Sequence, residues 1–213
     1  MIIKRLNIFV ATIILMFCTS VNAEIKMGFS LIAGQSDISG TETEGTAADT
    51  SNRSKDITEQ FIGADIFIEK LMDSGMTYGI SLVPLDVELG SGKRADTGAG
   101  QDVATEADKH TSEASASLTN LITAYTNIPV GSYYALLGVH YTKVETDEKL
   151  LTAQYDDVDL FGAQVGFGMR SGNLKYEVSY SDFQDIDISS TSGNINSISA
   201  DADALLFKVS YGY

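Results

Sequence analysis

A short run in the middle of the chain combines the residue types of a nucleophilic site. His110, Ser112 and Glu113 lie within four positions, and a serine hydroxyl becomes a nucleophile when a histidine removes its proton and an acid orients that histidine. These side chains would have to lie on a formed strand, but the run follows a stretch rich in glycine, alanine and aspartate. The residues admit a hydrolase, although the end of a solvated loop explains them more simply.

Two other groups of residues carry side chains that could do chemistry. His140 is the histidine expected on a strand, and a single imidazole in such a place is more often a hydrogen-bonded structural residue than a general base. Residues 156–159 and 182–187 contain three aspartates each, and carboxylate oxygens suit Ca²⁺. Neither segment has the spacing of an EF-hand loop, so we expect a solvated acidic surface. The sequence predicts no metal site and no cofactor.

The elements that must position these residues are eight stretches in which apolar and polar residues alternate. Such alternation is typical of strands with one apolar and one polar face. Tight turns are predicted around residues 72–75, 127–131 and 171–173. Long polar connections are predicted at about residues 34–57, 90–112, 145–157 and 189–201. The pattern therefore predicts an all-β domain of eight antiparallel strands that run up and down.

Two of these strands depart from strict alternation. Beyond Val83 and Pro84 the apolar positions shift by one residue, which indicates a β-bulge. Asn120 interrupts the apolar face of the fourth strand, predicted over about residues 113–126. The register of that strand is therefore left open.

The residues on the polar faces indicate which way the strands face. Alternation alone fits both a soluble barrel with an apolar core and a membrane barrel with an apolar exterior. The polar faces are rich in glycine and serine, which suit a crowded lumen better than a solvated surface. Tyrosines fall near strand ends, as at the two interfaces of a bilayer: Tyr78, Tyr133, Tyr141, Tyr176, Tyr180, Tyr211 and Tyr213. We therefore predict a closed transmembrane β-barrel.

The polar faces also carry charged residues that the alternation directs into the barrel. An eight-stranded barrel is just wide enough inside for side chains to fill it. The expected lumen residues are Lys26, Asp65, Glu69, His140, Gln164, Arg170, Lys175, Glu177 and Lys208. Because an unpaired buried charge is costly, we expect hydrogen-bonded ion pairs that plug the lumen. A gated ion path is the alternative.

The first 23 residues have the pattern of an export signal. Lys4 and Arg5 precede an apolar run at residues 8–17, and residues 21–23 fit the cleavage rule of signal peptidase. We predict a signal peptide at residues 1–23 and one barrel domain at residues 24–213. Cys18, the single cysteine of the chain, lies in the predicted signal, so the mature protein would have neither a disulfide nor a thiol nucleophile.

The chain is strongly acidic. It has 14 Lys and Arg residues against 29 Asp and Glu residues, which gives a formal charge of −15 at pH 7. Much of this acid lies in the predicted long connections. Nucleic acid is an unfavourable partner for such a protein, because binding to it relies on basic residues that neutralise phosphates.

The last predicted strand carries the most specific pattern. Its apolar positions alternate and end in an aromatic residue: Leu205, Phe207, Val209, Tyr211 and Tyr213. Together with the eight-strand rhythm over residues 24–213, this pattern resembles the small eight-stranded outer-membrane proteins, the family of OmpX, the OmpA transmembrane domain and the opacity proteins. The resemblance implies a place in the outer membrane of a Gram-negative bacterium, among lipid and lipopolysaccharide. It also implies that the barrel-assembly machinery recognises the last strand.

The resemblance implies that the long connections face the outside of the cell. We expect a non-catalytic role in envelope integrity or in surface contact, with an unidentified extracellular ligand as a partner of the connections. A narrow channel for small solutes or ions is the alternative. A third hypothesis follows from His110, Ser112 and Glu113, since lipid A deacylases are eight-stranded barrels with a His-x-Ser spacing.

Overall fold

The computed structural model describes residues 24–46, 49–97, 109–149, 155–191 and 196–212. The predicted signal peptide and Tyr213 lie outside these ranges. The described residues form ten β-strands: β1 (Glu24–Thr46), β2 (Asp49–Leu71), β3 (Thr77–Val83), β4 (Val87–Thr97), β5 (Lys109–Val130), β6 (Tyr133–Lys149), β7 (Val158–Ser171), β8 (Leu174–Phe183), β9 (Ile186–Ser189) and β10 (Ser197–Gly212).

The ten strands close into a barrel with eight staves, where a stave is one position in the ring, formed by one strand or by two strands that follow each other. The strand order is β1-β2-β3-β5-β6-β7-β8-β10, and β10 pairs with β1 to complete the ring. Within the third stave, β4 continues β3 and pairs with β5. In the seventh stave, β9 continues β8 and pairs with β10. All these pairs are antiparallel, which confirms the predicted all-β, eight-stranded, up-and-down barrel.

One end of the barrel, here called the turn end, carries three tight turns. Gly75, Gly131 and Gly172 have φ angles of 81°, 65° and 60°, a region that glycine enters without steric cost. The turn predicted at residues 127–131 is wrong in extent, because β5 continues to Val130 and the turn consists of Gly131 and Ser132.

The opposite end, here called the hairpin end, differs from the sequence prediction. Strands β1 and β2 pair without interruption from Glu24 opposite Leu71 to Thr46 opposite Asp49, so the described residues of the predicted connection at 34–57 belong to strands. Strands β4, β5, β6 and β10 also extend into predicted connections. Alternation disappears there because both faces of these hairpins are polar, while the backbone pairing continues.

The two irregular positions in the sequence are irregular in the structure. Val83 lies opposite Leu121 and Val87 lies opposite Leu118, so the three residues from Pro84 face two residues of β5. Asn120 has a φ of 55°, and the register between β5 and β6 shifts between Thr119 and Ile122. Pro84 and Asn120 therefore mark one local bend of the barrel wall.

The outer surface of the barrel is apolar. Large side chains at alternate strand positions form a continuous surface, here called the apolar belt, and are 46% to 87% exposed: Ile25, Met27, Phe29, Leu31, Ile62, Ile66, Leu137, Val139, Val165, Phe167, Leu205 and Phe207. The intervening positions point into the lumen. No helix among the described residues has the length and hydropathy needed to cross a bilayer.

A small apolar core fills the interior at the hairpin end. Val144, Tyr155, Leu160, Ile186 and Ile188 are buried against one another, and we call this group the apolar cap. Val144 and Leu160 continue the inward-facing positions of β6 and β7. The interior therefore changes from polar in the lumen to apolar beneath the hairpins.

Candidate functional site in the barrel lumen

The lumen is organised around the carboxylate of Glu69, which is 1% exposed. Its Oε2 atom accepts a hydrogen bond of 2.8 Å from Arg170 Nη2. Its Oε1 atom accepts one of 2.8 Å from the hydroxyl of Tyr125 and a further one from Lys175 Nζ. These four residues, here called the Glu69 cluster, lie on β2, β5, β7 and β8. Their hydrogen bonds therefore connect walls of the barrel that are not adjacent in the sheet.

Further ion pairs balance the charge of the lumen. Lys208 Nζ lies 2.7 Å from Asp65 Oδ2, and Lys175 Nζ lies 3.6 Å from Glu177 Oε2. The ammonium of Lys175 also lies 4.8 Å from the centre of the Phe67 ring, a favourable cation–π distance. The cations Arg170, Lys175 and Lys208 thus face the carboxylates Glu69, Asp65 and Glu177, so these six residues together carry no net charge.

His140 has the surroundings of a structural residue. Its Nδ1 atom lies 2.8 Å from Thr123 Oγ1, and its Nε2 atom lies 2.9 Å from Ser181 Oγ. A neutral imidazole meets both hydroxyls by donating through one nitrogen and accepting through the other. The ring also stacks on Phe183 with 5.4 Å between centroids and is 3% exposed. The apolar cap lies on the side of this ring that faces the hairpin end.

The remaining two predicted lumen residues differ in their surroundings. Gln164 is buried and donates a hydrogen bond of 2.8 Å from Nε2 to Ser179 Oγ. Lys26 lies at the turn end, with its Nζ 3.7 Å from Glu24 Oε1, rather than within the Glu69 cluster. It borders a cavity of about 10 Å³, which is room for about one water molecule.

Aromatic side chains, which are not among the predicted polar lumen residues, fill the space between the ion pairs. Phe67, Tyr125 and Tyr134 are buried there, and each faces a glycine. A Cβ atom on Gly168 would lie 2.5 Å from Tyr134 Cζ, and Gly79 approaches Tyr125 still more closely. Inward-facing glycines were the signal that could have located these rings, because a large side chain must fill the space beside them.

The predicted interfacial tyrosines point outward at both ends of the belt. Tyr133, Tyr176 and Tyr180 are 60%, 36% and 43% exposed. Toward the turn end, Tyr211 lies 6.2 Å from Phe29, and Tyr78 is the second residue of β3. Toward the hairpin end, Tyr141 donates a hydrogen bond of 2.9 Å to Asp159 and packs 5.3 Å from Phe161. Tyr213, predicted for both the girdle and the assembly signal, is outside the described residues.

The residues of the hypothetical nucleophilic site lie in the hairpins. The expectation that they end a loop is wrong, because the backbones of His110, Ser112 and Glu113 belong to β5. His110 lies opposite Asp96, and Ser112 lies opposite Arg94 on β4. The side chains of these three residues lie outside the part of the chain that the structure describes.

The acidic surface at the hairpin end has local partners and local repulsion. Lys143 Nζ lies 2.5 Å from Asp157 Oδ2, and this hydrogen bond lowers the pKa of the Asp157 carboxyl. The pKa of Asp201 is raised by its hydrogen bond with the carboxyl of Asp185 and by the like charge there. Within the described ranges, no group of three or more His, Cys, Asp or Glu side chains is arranged to hold a metal ion.

Comparison with known proteins finds similarity in structure alone. No family model and no curated protein matches the sequence. The outer membrane protein OprG from Pseudomonas aeruginosa is 12% identical with a TM-score of 0.45 over 87% of this chain and 96% of that chain. Ail, the attachment invasion locus protein of Yersinia pestis, is 11% identical with a TM-score of 0.42 over 89% and 99%. Neisserial surface protein A is 8% identical with a TM-score of 0.36 over 87% and 98%.

These three proteins are small eight-stranded outer-membrane β-barrels. At such low identities and scores, the fold of this chain is defined by its own strand pairing rather than by the superpositions. That pairing closes β10 onto β1 through eight antiparallel staves. The chain therefore has the closed eight-stranded barrel fold that these outer-membrane proteins share.

Proposed function

We propose that this protein is an integral outer-membrane protein, closed to solutes, whose barrel holds long acidic hairpins outside the cell. The observation that carries the proposal is the inverted distribution of side chains, with charges inside and the apolar belt outside. Exposing one large apolar side chain to water costs about 1.5–3 kcal/mol, and the belt contains many of them. Lipid around the belt removes this cost, and the tyrosines at its borders suit the two interfaces.

The orientation of the barrel follows from its two unequal ends. In bacterial outer-membrane barrels the short turns face the periplasm and the longer connections face outward. The turn end has two-residue to five-residue connections, whereas β1 and β2 pair for more than ten residues beyond the belt. This orientation supports placing the hairpins at the cell surface, together with most of the acidic residues of the chain.

Two separate closures support a barrel that does not conduct. The Glu69 cluster ties opposite walls together within the lumen, and the apolar cap fills the interior at the hairpin end. Removing one partner of a buried ion pair costs about 3–5 kcal/mol, so spontaneous opening through the cluster would be rare. These closures favour the structural plug over the narrow channel for small solutes or ions.

The charge of the hairpins restricts what they could contact. Ail has been crystallised with the heparin analogue sucrose octasulfate, a polyanion. This chain carries a formal charge of −15, so a sulfated sugar would meet electrostatic repulsion at its hairpins. If the hairpins act in surface contact, their charge favours a basic or neutral extracellular partner. If they act in envelope integrity, it favours packing among lipopolysaccharide molecules, with divalent cations between the negative charges.

The proposal includes the absence of catalysis. The deacylase hypothesis depends on Ser112, so mass spectrometry of lipid A from cells that carry wild-type protein or Ser112→Ala tests it. We expect identical acylation in both. Loss of an acyl chain that depends on Ser112 would show that the protein is an enzyme.

Heat-modifiability tests the membrane-barrel proposal. The mature protein, refolded in detergent, is run on a gel with and without boiling while its circular dichroism is recorded. We expect a faster band without boiling and a strand-rich spectrum, because a closed barrel resists unfolding by the gel detergent. Identical bands, together with solubility in buffer without detergent, would contradict the proposal and favour a soluble barrel.

A further inference from the structure

A groove crosses the outer surface of the barrel at the border of the apolar belt that lies nearer the hairpin end. It has a volume of about 810 Å³ and runs over β2, β1, β10 and β8. Its floor is the small residue Ala33, which lies opposite Ile62 on one side and Phe207 on the other. Val178 and Leu205 complete the apolar wall. A small residue between larger neighbours therefore creates a depression in the outer surface.

The polarity of the same four strands changes abruptly above the groove. Two residues beyond Ala33 toward the hairpin end, Gln35 lies opposite Gln60, and both border the groove. Four residues beyond Ala33 toward the hairpin end, Asp37 lies opposite Asp203, and Asp203 lies opposite Asp182. At about 3.3 Å per residue, this carboxylate row lies about 13 Å from the floor of the groove.

Three carboxylates in one row are an unfavourable arrangement without a counter-charge. Like charges directly opposite each other on neighbouring strands destabilise a sheet. Asp37 accepts hydrogen bonds from Thr58 and Gln35, but these neutral donors leave its charge uncompensated. A cation above the groove would relieve the repulsion of all three carboxylates.

We propose that the groove binds a single amphiphile with an acyl tail and an ammonium headgroup. The tail lies over Ala33 between Ile62 and Phe207, and the headgroup lies against the row of Asp37, Asp203 and Asp182. The apolar depression by itself accepts any lipid chain, so the carboxylate row supplies the selectivity. This site is separate from the lumen and does not depend on whether the barrel conducts.

Tryptophan fluorescence tests the proposal, because the chain contains no tryptophan. Phe207→Trp places a reporter in the groove. Leu137→Trp places a control reporter in the belt on β6, three staves away. Each protein is folded in dodecyl maltoside micelles, whose headgroups carry no charge, and titrated with 11-bromoundecylamine, 11-bromoundecanoate or 11-bromoundecanol, which share a quenching tail and differ in the headgroup.

We expect the amine to quench the groove reporter about threefold to tenfold more effectively than the carboxylate probe, after normalisation to the alcohol and to the control reporter. This range corresponds to one or two exposed charge pairs. In the Phe207→Trp background, Asp37→Asn together with Asp203→Asn should abolish the preference. Asp147→Asn, an exposed aspartate on β6, should leave it unchanged.

Three results would overturn the proposal. Equal quenching by the amine and the carboxylate probe would show an unselective lipid-facing surface. A preference that survives the double substitution would show that the carboxylate row does not bind the headgroup. Quenching by the carboxylate probe that appears only with Mg²⁺ would show a metal-bridged anionic lipid instead. Heat-modifiability of each variant establishes that the barrel is folded, and Ala33→Phe, which fills the depression without altering charge, should reduce quenching by all three probes.

Discussion

Replacing Glu69 by glutamine should remove the centre of the lumen network with little change in volume. In the wild type the carboxylate accepts hydrogen bonds from Arg170, Lys175 and Tyr125. The amide of glutamine has one acceptor oxygen and two N–H donors, so at least one of these donors loses its partner. The six residues of the lumen ion pairs would also gain a net positive charge, because two carboxylates would face three cations.

The structure sets the size of the expected effect. Hydrogen bonds to charged groups contribute about 1.5–3 kcal/mol each, and removing one partner of a buried ion pair costs about 3–5 kcal/mol in total. Lys175 retains Glu177 at 3.6 Å, which places the expected loss for Glu69→Gln toward the lower end of that range. We therefore expect the free energy of unfolding to fall by about 3 kcal/mol.

Urea unfolding of the refolded protein in lipid vesicles, followed by heat-modifiability on a gel, measures this loss. Glu59→Gln is the matched control, since Glu59 is an exposed residue on the same strand, and it should change stability by less than about 0.5 kcal/mol. Lys175→Met combined with Glu69→Gln should cost less than the sum of the two single changes, because the residues interact directly. A loss below about 1 kcal/mol for Glu69→Gln, or full additivity in the double variant, would refute the buried network.

Two further substitutions test the lumen packing and the acidic hairpins. Gly168→Ala should destabilise the barrel by about 1–3 kcal/mol, as overpacking does, because the new Cβ atom would collide with Tyr134. Gly63→Ala is the control and should be tolerated, because a Cβ atom there meets no atom within 4 Å. Equal unfolding midpoints of the two variants in urea would contradict this prediction. Asp201→Asn should raise the unfolding midpoint at pH 7, because the raised pKa of Asp201 reflects a hydrogen bond to Asp185 that needs a proton on Asp201, and repulsion between the two carboxylates once that proton is lost. The advantage should shrink as the pH falls and Asp201 takes up its proton, because the wild-type carboxyl then donates a hydrogen bond to Asp185, and a gain independent of pH would count against this explanation.

The strands within the belt could be predicted because their two faces have different surroundings. In the proposed membrane location, lipid outside and a polar lumen inside require alternation, as in Phe29, Ser30 and Leu31. Beyond the belt, water reaches the outer face, and the residues around Ser39 and Ser54 give no periodic signal although β1 and β2 remain paired. Strand bounds at the hairpin end therefore could not be read from the sequence.

The lumen was predictable in its composition and not in its contacts. A charged residue on an otherwise glycine-rich and serine-rich face, such as Glu69 or Lys208, has to point inward. Its partner depends on the tilt and register of the closed barrel, which join Glu69 to Arg170 across 101 positions of sequence. Tyr125 was not located, because Asn120 left the register of its strand open in the sequence.

The central claim, a membrane barrel sealed to solutes, is tested most directly by planar-bilayer conductance. The folded protein is inserted from detergent, a porin serves as the positive control, and heat-modifiability of the same sample verifies folding. The account predicts the current of the bare bilayer for the wild type at both polarities. Reproducible discrete current steps from the folded wild type would contradict it, because ions would then pass both the Glu69 cluster and the apolar cap.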